Sequence, residues 1–272
     1  KTKSILSVPI YGNPCDMDAI VSICKKHDLQ LIEDCCESMG ALYKGKPVGS
    51  FGRVASFSFY YSHHITTLEG GICVTDDFDL AEMMRIIRAH GWVRQVEDRD
   101  KWIKKYPNFD PKFLFVNEGY NLRITEPQAS MGLIQIDKLE GFIDKRISNT
   151  KKYLEIFDKY SDFFSFQKTT NESKNSHFGF PFVVKNNKIF SRDEICKYLN
   201  NNGIETRPII AGNLARQPAN SLFEHRISGE LINSDIIMDN GFSIGVHQSL
   251  CDDSIDYVKK VFENFFKERN IN

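Results

Sequence analysis

The sequence predicts an α/β fold over residues 1–137, followed by a smaller α+β region over residues 138–272. Three observations carry this. An amphipathic helical period over residues 16–27 runs directly into a short apolar strand that ends in two acids, Glu33 and Asp34. Residues 54–60 alternate strictly, with Phe57 and Phe59 on one face and Ser56 and Ser58 on the other. Beyond residue 138 the rhythm changes to isolated strands and helices with no βα repeat.

In order along the chain, Met17, Ile20, Val21 and Cys24 fall at i, i+3, i+4 and i+7, the spacing of one buried helical stripe, and Asp16 stands at its cap. Leu29 to Asp34 reads as a buried strand with a polar carboxyl end. Val54 to Tyr60 and Gly71 to Thr75 read as two more strands. Asp79 to Ala89 reads as a helix with Leu80, Met83, Met84 and Ile87 on its apolar stripe. Residues 92–118 mix aromatic and charged side chains without a period and read as a long surface excursion, the kind of loop that is often functional. From Pro127 to about Lys159 the pattern predicts one long helix, punctuated by Met131, Ile134, Leu139, Phe142 and Ile143, with a kink at Gly141. The rest reads as a strand from Phe178 to Val184, a helix opened by a Ser191–Glu194 capping box, a strand near Ile204 to Ile210, and a closing helix from Asp253.

Composition narrows the function. There are 35 Lys and Arg against 36 Asp and Glu, a net charge of −1. With the basic residues scattered among acids, no face concentrates a phosphate backbone, so nucleic acid is not expected as a partner. The sequence has no run of about 18 apolar residues and no basic-then-apolar leader, so neither a membrane partner nor a signal peptide is expected, and the expected location is cytoplasmic. Seven cysteines without a CxxC pair argue against a disulfide framework or a zinc site, and no metal is expected. The first residue is Lys1, so the translated product is expected to begin earlier.

Two segments hold residues suited to chemistry. Asp34 ends a strand, and ligands of open α/β sheets bind at the carboxyl ends of strands. The stretch Ser58-Phe-Tyr-Tyr-Ser-His-His-Ile-Thr-Thr-Leu-Glu-Gly-Gly71 joins hydroxyls and histidines to a Gly-Gly turn that lets backbone approach a ligand. Adjacent residues of an extended chain point to opposite faces, so His63 and His64 are not expected to share one metal ion. Taken alone, each of these segments has an ordinary structural explanation: a surface acid, and two loop histidines.

Read together, Ile32-Glu-Asp-Cys-Cys-Glu-Ser-Met-Gly40, Ser56 to Gly71 and Glu118-Gly-Tyr-Asn-Leu-Arg-Ile-Thr-Glu-Pro-Gln128 resemble the DegT/DnrJ/EryC1/StrS nucleotide-sugar aminotransferases in order and spacing. Arg207-Pro-Ile-Ile-Ala-Gly-Asn-Leu-Ala-Arg-Gln-Pro218 extends the resemblance over nearly the whole chain. The resemblance implies an aspartate-aminotransferase-type fold, a mixed sheet flanked by helices with a small C-terminal α+β domain. It also implies pyridoxal 5′-phosphate or pyridoxamine 5′-phosphate bound in an active site shared across a homodimer. Asp34 matches the acid that pairs with the pyridine nitrogen, Glu37 the polar residue near the ring hydroxyl, Ser58 a phosphate ligand, and Asn121 the residue that reaches the neighbouring subunit's phosphate.

His63 stands where the family's aminotransferases have the lysine that holds the cofactor covalently. Imidazole cannot form that bond but can move protons near neutral pH. This exchange resembles the family's 3-dehydratases, which remove the carbon 3 hydroxyl of a 4-keto-6-deoxy sugar carried on a nucleotide; His63 would be the catalytic base. One such branch carries an iron–sulfur cluster on cysteines located beyond the histidine. Only Cys73, Cys196 and Cys251 follow His63 here, so no cluster is expected. The branch without a cluster takes its amine from L-glutamate and acts on a GDP-linked sugar, GDP-4-keto-6-deoxy-D-mannose, in deoxysugar and lipopolysaccharide O-antigen biosynthesis. His90, Arg94, Asn213 and Arg216 are weaker candidates for substrate contact. For His90 and Arg94 the bland alternative is a helix terminus carrying favourable cations. Cys35 and Cys36, directly after a buried strand, are expected to pack, as are Phe163 to Phe166. Family members begin with a segment that supplies a phosphate-binding turn, and nothing before Asp16 is expected to play that part. Amino transfer to a similar sugar, and a non-catalytic remnant, stand as alternatives.

Overall fold

The computed structural model describes residues 2–185 and 188–271. The chain forms two compact units. One comprises the residues up to Ile10, Pro14–Leu139 and Glu172–Lys174; the other comprises Tyr11–Asn13, Glu140–Asn171 and the residues from Asn175 on.

In the first unit, β1 (Ser4–Ser7) is followed by α1 (Met17–His27) and β2 (Gln30–Asp34). The Asp16 carboxylate accepts from the Ala19 amide, as an N-cap should, and Met17 and Cys24 bury the helix face against Leu31. Short β3 (Leu42–Tyr43) and β4 (Lys46–Pro47) precede β5 (Val54–Ser58) and β6 (Gly71–Val74). The main sheet has the order β1-β2-β5-β6, parallel across β1, β2 and β5 and antiparallel between β5 and β6. Because β2 and β5 run parallel, their carboxyl ends emerge on one edge, with Asp34 beside Ser56 in the ladder. β1 was not expected from the sequence; its side chains are mostly exposed and carry no alternation of polarity, and its pairing with β2 defines it.

Helix α2 (Phe78–Ile87) turns a different face inward from the one expected. Glu82 and Ile86 are buried, whereas Leu80, Met83, Met84 and Ile87 are only half-buried. The reason is the segment that follows. Residues 92–118 form a small core of their own, in which Val93, Val96 and Leu114 close on Ile86, and α3 (Arg99–Lys105) packs Trp102 and Ile103 beside them. The buried Glu82 carboxylate accepts from the Asp98 amide (3.0 Å) and from the Arg85 guanidinium (2.5 Å). Elements of three to seven residues are too short to register as a period, which is why this segment resembles a loop in sequence.

The predicted single helix over 127–159 is two: α4 (Glu126–Ile136) and α5 (Leu139–Phe157). The break comes at Asp137 and Lys138, where the amides turn back to the Gln135 carbonyl in a tight terminal turn. Gly141 lies inside α5 and marks no kink. α4 opens with a Thr125–Gln128 capping box and buries no residue.

The second unit is built on aromatic packing. β7 (Phe164–Phe166), β9 (Phe180–Val184) and β10 (Gly241–Ile244) form an antiparallel sheet in the order β10-β9-β7, whereas β8 (Ser173–Lys174) belongs to the first unit and pairs there with β3. α5, α6 (Arg192–Asn201) and α8 (Asp252–Lys267) cover a core that holds Phe157, Phe164, Phe180, Phe182, Phe242 and Phe262. The Ser191–Glu194 capping box forms as expected. The strand expected near 204–210 does not: only Arg207 pairs, in a single bridge to Ser243. Pro208 has no N–H for a ladder, and Ile210 and Gly212 take left-handed backbone. α7 (Ile232–Asn240) follows this irregular stretch. No helix among the described residues is long and apolar enough to cross a membrane.

Candidate active site

The carboxyl edge of β2 and β5 gathers the sequence candidates Asp34, Ser58 and His63. Directly upstream of Asp34, Glu33 is 1% exposed and accepts from the amides of Gly49 (2.8 Å), Phe51 (2.7 Å) and Gly52 (2.6 Å). A buried carboxylate needs such partners, and these three tie the 49–52 turn to the strand. Side chains alternate along a strand, so burying Glu33 on one face places Asp34, half-buried, on the other. Cys35 continues the ladder with its amide on the Ser56 carbonyl (2.8 Å) and is fully buried with Ala41, Val48 and Ala55.

Asp34 Oδ1 accepts from the Cys36 amide at 3.1 Å. The Cys36 carbonyl in turn lies 2.6 Å from His63 Nδ1. A carbonyl oxygen can only accept, so Nδ1 carries the hydrogen and donates, which leaves Nε2 as the basic nitrogen of the neutral ring. Ser58 Oγ accepts from the Tyr60 amide (3.1 Å), and the chain turns so that the His63 amide reaches the Tyr60 carbonyl (3.0 Å). Buried His64, Ile65 and Thr67 anchor the loop; Thr67 Oγ1 packs so close to Gly70, at φ +152°, that a Cβ there would sit 2.4 Å from it. His63, by contrast, is half-buried and its ring meets that of Tyr60 edge-on at 6.2 Å, so the two histidines diverge. Burial, reinforced by Glu33, pushes the Cys35 thiol up to about 12, and burial together with the hydrogen bond to Asp34 pushes Cys36 up to about 12. Both thiols stay protonated near neutral pH and are poor nucleophiles. Glu37 is half-buried in the same loop.

A second group forms where the end of α2 meets residues 117–123. Ala89 and Asn121 form a bridge, with the His90 amide on the Tyr120 carbonyl at 2.8 Å. His90 has φ +65°, and a Cβ on Gly91 would fall 1.7 Å from the Asn117 carbonyl oxygen, so only glycine permits this approach. Arg123 Nε donates to Asn121 Oδ1 (3.3 Å), and Nη2 lies 3.5 Å from His90 Nε2. Arg94 stacks over Trp92 at 5.0 Å, and Trp92, Arg94 and Arg123 line a cavity of about 50 Å³. Thus His90, Arg94 and Asn121 sit in one exposed group whose central member, Arg123, had no assigned role although the motif Glu118 to Gln128 contains it.

Asn213 and Arg216 lie in the second unit and converge on Asp235. Asn213 caps a short turn through the Ala215 amide and donates to Asp235 Oδ1 (2.7 Å). Arg216 grips both oxygens of Asp235 at 3.0 and 2.9 Å, which holds that carboxyl down at about 2. Of the signals that sequence reading missed, the Cys36 carbonyl had none, since a backbone group leaves no trace in residue type. Glu33 had one: an acid within an apolar strand. Among the described residues, no cluster of His, Cys, Asp and Glu could hold a metal ion.

The DegT/DnrJ/EryC1/StrS aminotransferase family model matches residues 1–263. The GDP-4-keto-6-deoxy-D-mannose 3-dehydratase of Escherichia coli O55:H7 is 39% identical over 96% of this chain and 68% of its own length. The enzyme of that name from Yersinia pseudotuberculosis is 38% identical over 96% of this chain and 66% of its own. The chain thus spans about two thirds of the length of these relatives. Among solved structures, the E. coli enzyme with bound hydrated pyridoxal phosphate superposes with a TM-score of 0.88 at 38% identity, covering 96% of this chain and 67% of that one. A structure of GDP-4-keto-6-deoxymannose-3-dehydratase with a trapped adduct of pyridoxal phosphate and glutamate gives 0.85 at 37% identity, with the same coverage.

Proposed function

This chain belongs to the DegT/DnrJ/EryC1/StrS aminotransferase family, and from the imidazole at position 63 we propose that it is a 3-dehydratase acting on a nucleotide-linked 4-keto-6-deoxyhexose. The sugar is GDP-4-keto-6-deoxy-D-mannose, the cofactor is pyridoxal phosphate in its amine form, and L-glutamate supplies the amine. The observation that carries the reading is His63 itself: a ring whose Nδ1 is held by the Cys36 carbonyl, where the family resemblance places a lysine. The 39% and 38% identity to two enzymes of that name supports the choice of sugar.

The residues at this strand edge fit the cofactor: a carboxylate, a hydroxyl and an imidazole lie at the carboxyl ends of adjacent parallel strands and in the loop after them. When bound, the cofactor supplies an electron sink that lets a carbon–hydrogen bond be broken and a hydroxyl leave. Asp34 provides the negative charge that keeps its ring nitrogen protonated. Ser58 would hold the phosphate, and Glu37 would serve the ring hydroxyl. His63 accepts a proton at Nε2 and returns one to the departing hydroxyl. The primary amine of a lysine at that position would instead capture the cofactor covalently, so its absence steers the site away from amino transfer. Asn121 completes the phosphate site of a neighbouring subunit, which makes the working unit a homodimer located in the cytoplasm. His90 and Arg94 contact the substrate, and Asn213 and Arg216, joined through Asp235, are further candidates for such contact.

The test is to incubate the purified chain with pyridoxal phosphate, L-glutamate and GDP-4-keto-6-deoxymannose, and to analyse the products by mass spectrometry. The expected products are 2-oxoglutarate and a sugar lacking the carbon 3 oxygen. A sugar that keeps that oxygen and gains an amine would replace the reading with amino transfer.

A further inference from the structure

We propose that Asp34 is a positioning residue for His63, acting through the backbone of Cys36, whose N–H meets the carboxylate and whose carbonyl, in the next peptide unit, meets the histidine. The inference rests on the dehydratase reading for its importance, but its geometry stands independently. Asp34 Oδ1 accepts from the Cys36 amide (3.1 Å), and the carbonyl of that residue accepts from His63 Nδ1 (2.6 Å). The carboxylate thus restrains the chain as it enters Cys36, and the carbonyl that leaves this residue selects the ring tautomer with hydrogen on Nδ1.

Two further observations describe how the Cys36 residue is held. Its thiol is half-buried, lies 4.0 Å from Ser56 Oγ and also interacts with the Asp34 carboxylate. The residue before it, Cys35, is pinned at 0% exposure with its amide on the Ser56 carbonyl and its own carbonyl accepting from the Ser38 amide (3.0 Å), so the sheet and this turn frame the Cys36 backbone, and Asp34 adds the bond to its N–H. His63 is in turn held from its own side by its amide on the Tyr60 carbonyl (3.0 Å). A hydrogen-bonded second partner that fixes the tautomer of a functional histidine is a recurring way of orienting such rings. Here the partner is backbone, and the side chain that orients the backbone is the same acid that faces the cofactor ring nitrogen in the proposed site. One carboxylate would thus tie the two ends of the chemistry together: its Oδ1 sets the base, and its charge serves the ring.

The two roles separate by substitution. An asparagine at position 34 keeps an Oδ1 that can accept from the Cys36 amide but has no charge, whereas alanine removes both. The experiment is ¹⁵N NMR of the full chain labelled at histidine, with His63 assigned by the loss of its signals in His63→Asn. In the unsubstituted protein above the titration of His63, Nδ1 is expected at the protonated, pyrrole-type position and Nε2 at the pyridine-type position. Asp34→Asn should keep this pattern and lose dehydratase turnover. Asp34→Ala should give a mixture of both tautomers. A protonated Nε2 in the unsubstituted protein would overturn the proposal without any variant. So would an unchanged Nδ1–H pattern in Asp34→Ala. Failure of the dehydratase reading is distinguishable, because it would remove turnover from the unsubstituted protein while leaving the tautomer pattern intact.

Discussion

A lysine and a histidine at position 63 differ in one property that decides the chemistry: a primary amine bonds covalently to an aldehyde, and an imidazole moves protons without doing so. His63→Lys is therefore expected to bind pyridoxal phosphate covalently, seen as an absorption band that survives desalting, and to lose removal of the carbon 3 hydroxyl. Dehydratase turnover that persisted in this variant would take His63 out of the mechanism. This position was singled out from its motif, as were Asp34 and Ser58, because their residue types suit the proposed chemistry. Its tautomer was not readable, because it is set by the carbonyl of Cys36, a group that every residue type carries. Glu33 shows the same limit. Its neighbour Asp34 attracted attention at the strand end, yet Glu33 is the more deeply buried of the two acids and spends its oxygens on three amides of a turn that begins sixteen residues later.

The elements recovered from periodicity are those whose buried face lies on their own sequence repeat. α1 and α6 begin at the caps expected of them, and α8 buries Ile255, Val258, Val261, Phe262, Phe265 and Phe266 on one stripe. Where a neighbour decides which face turns inward, the repeat misleads, as in α2, whose buried Glu82 and Ile86 answer to residues 93–114. Helix α8 also shows how unequal the contributions to its unit are. Phe262 is fully buried, with ring centroids 4.6 Å from Phe157 and 5.6 Å from Phe182. Phe262→Ala should cost about 4 kcal/mol in denaturant unfolding. Ser191→Ala, which removes one half of the α6 capping box, should cost about 1 kcal/mol. Equal losses for the two would mean that the aromatic core relaxes into the space, which interlocked rings should prevent.

For the molecule as a whole, the second unit carries a pH dependence. Arg146, 2% exposed, donates to the Gln248 side chain and to the carbonyls of His177 and Phe178, and its burial holds the guanidinium down at about 10. Beside it, burial and then the Arg146 charge hold the His177 imidazole down at about 4. His247 is lowered for the same reasons. The unfolded chain protonates such a histidine near its ordinary value of about 6.5 and the folded chain only near 4, so between these values the unfolded state binds more protons. The contribution to stability is complete above about pH 6.5 and is lost as the pH falls toward 4, on the order of 3 kcal/mol for His177. Chemical denaturation across this range should show the fall, and His177→Gln should flatten it. A slope unchanged in that variant would assign the effect elsewhere.

By itself the sequence determined the α/β class, the family, and which side chains are chemically able to serve the reaction, because each follows from residue type and near-neighbour spacing. The tertiary structure alone decided that the 92–118 segment has its own core, that the expected helix over 127–159 is two, and that no strand forms near 204–210. It also decided that Asn213 and Arg216 meet at Asp235, and that the backbone of Cys36 links Asp34 to His63. These depend on contacts between residues far apart in the chain or on backbone atoms common to all residues, and neither leaves a periodic signal in one dimension.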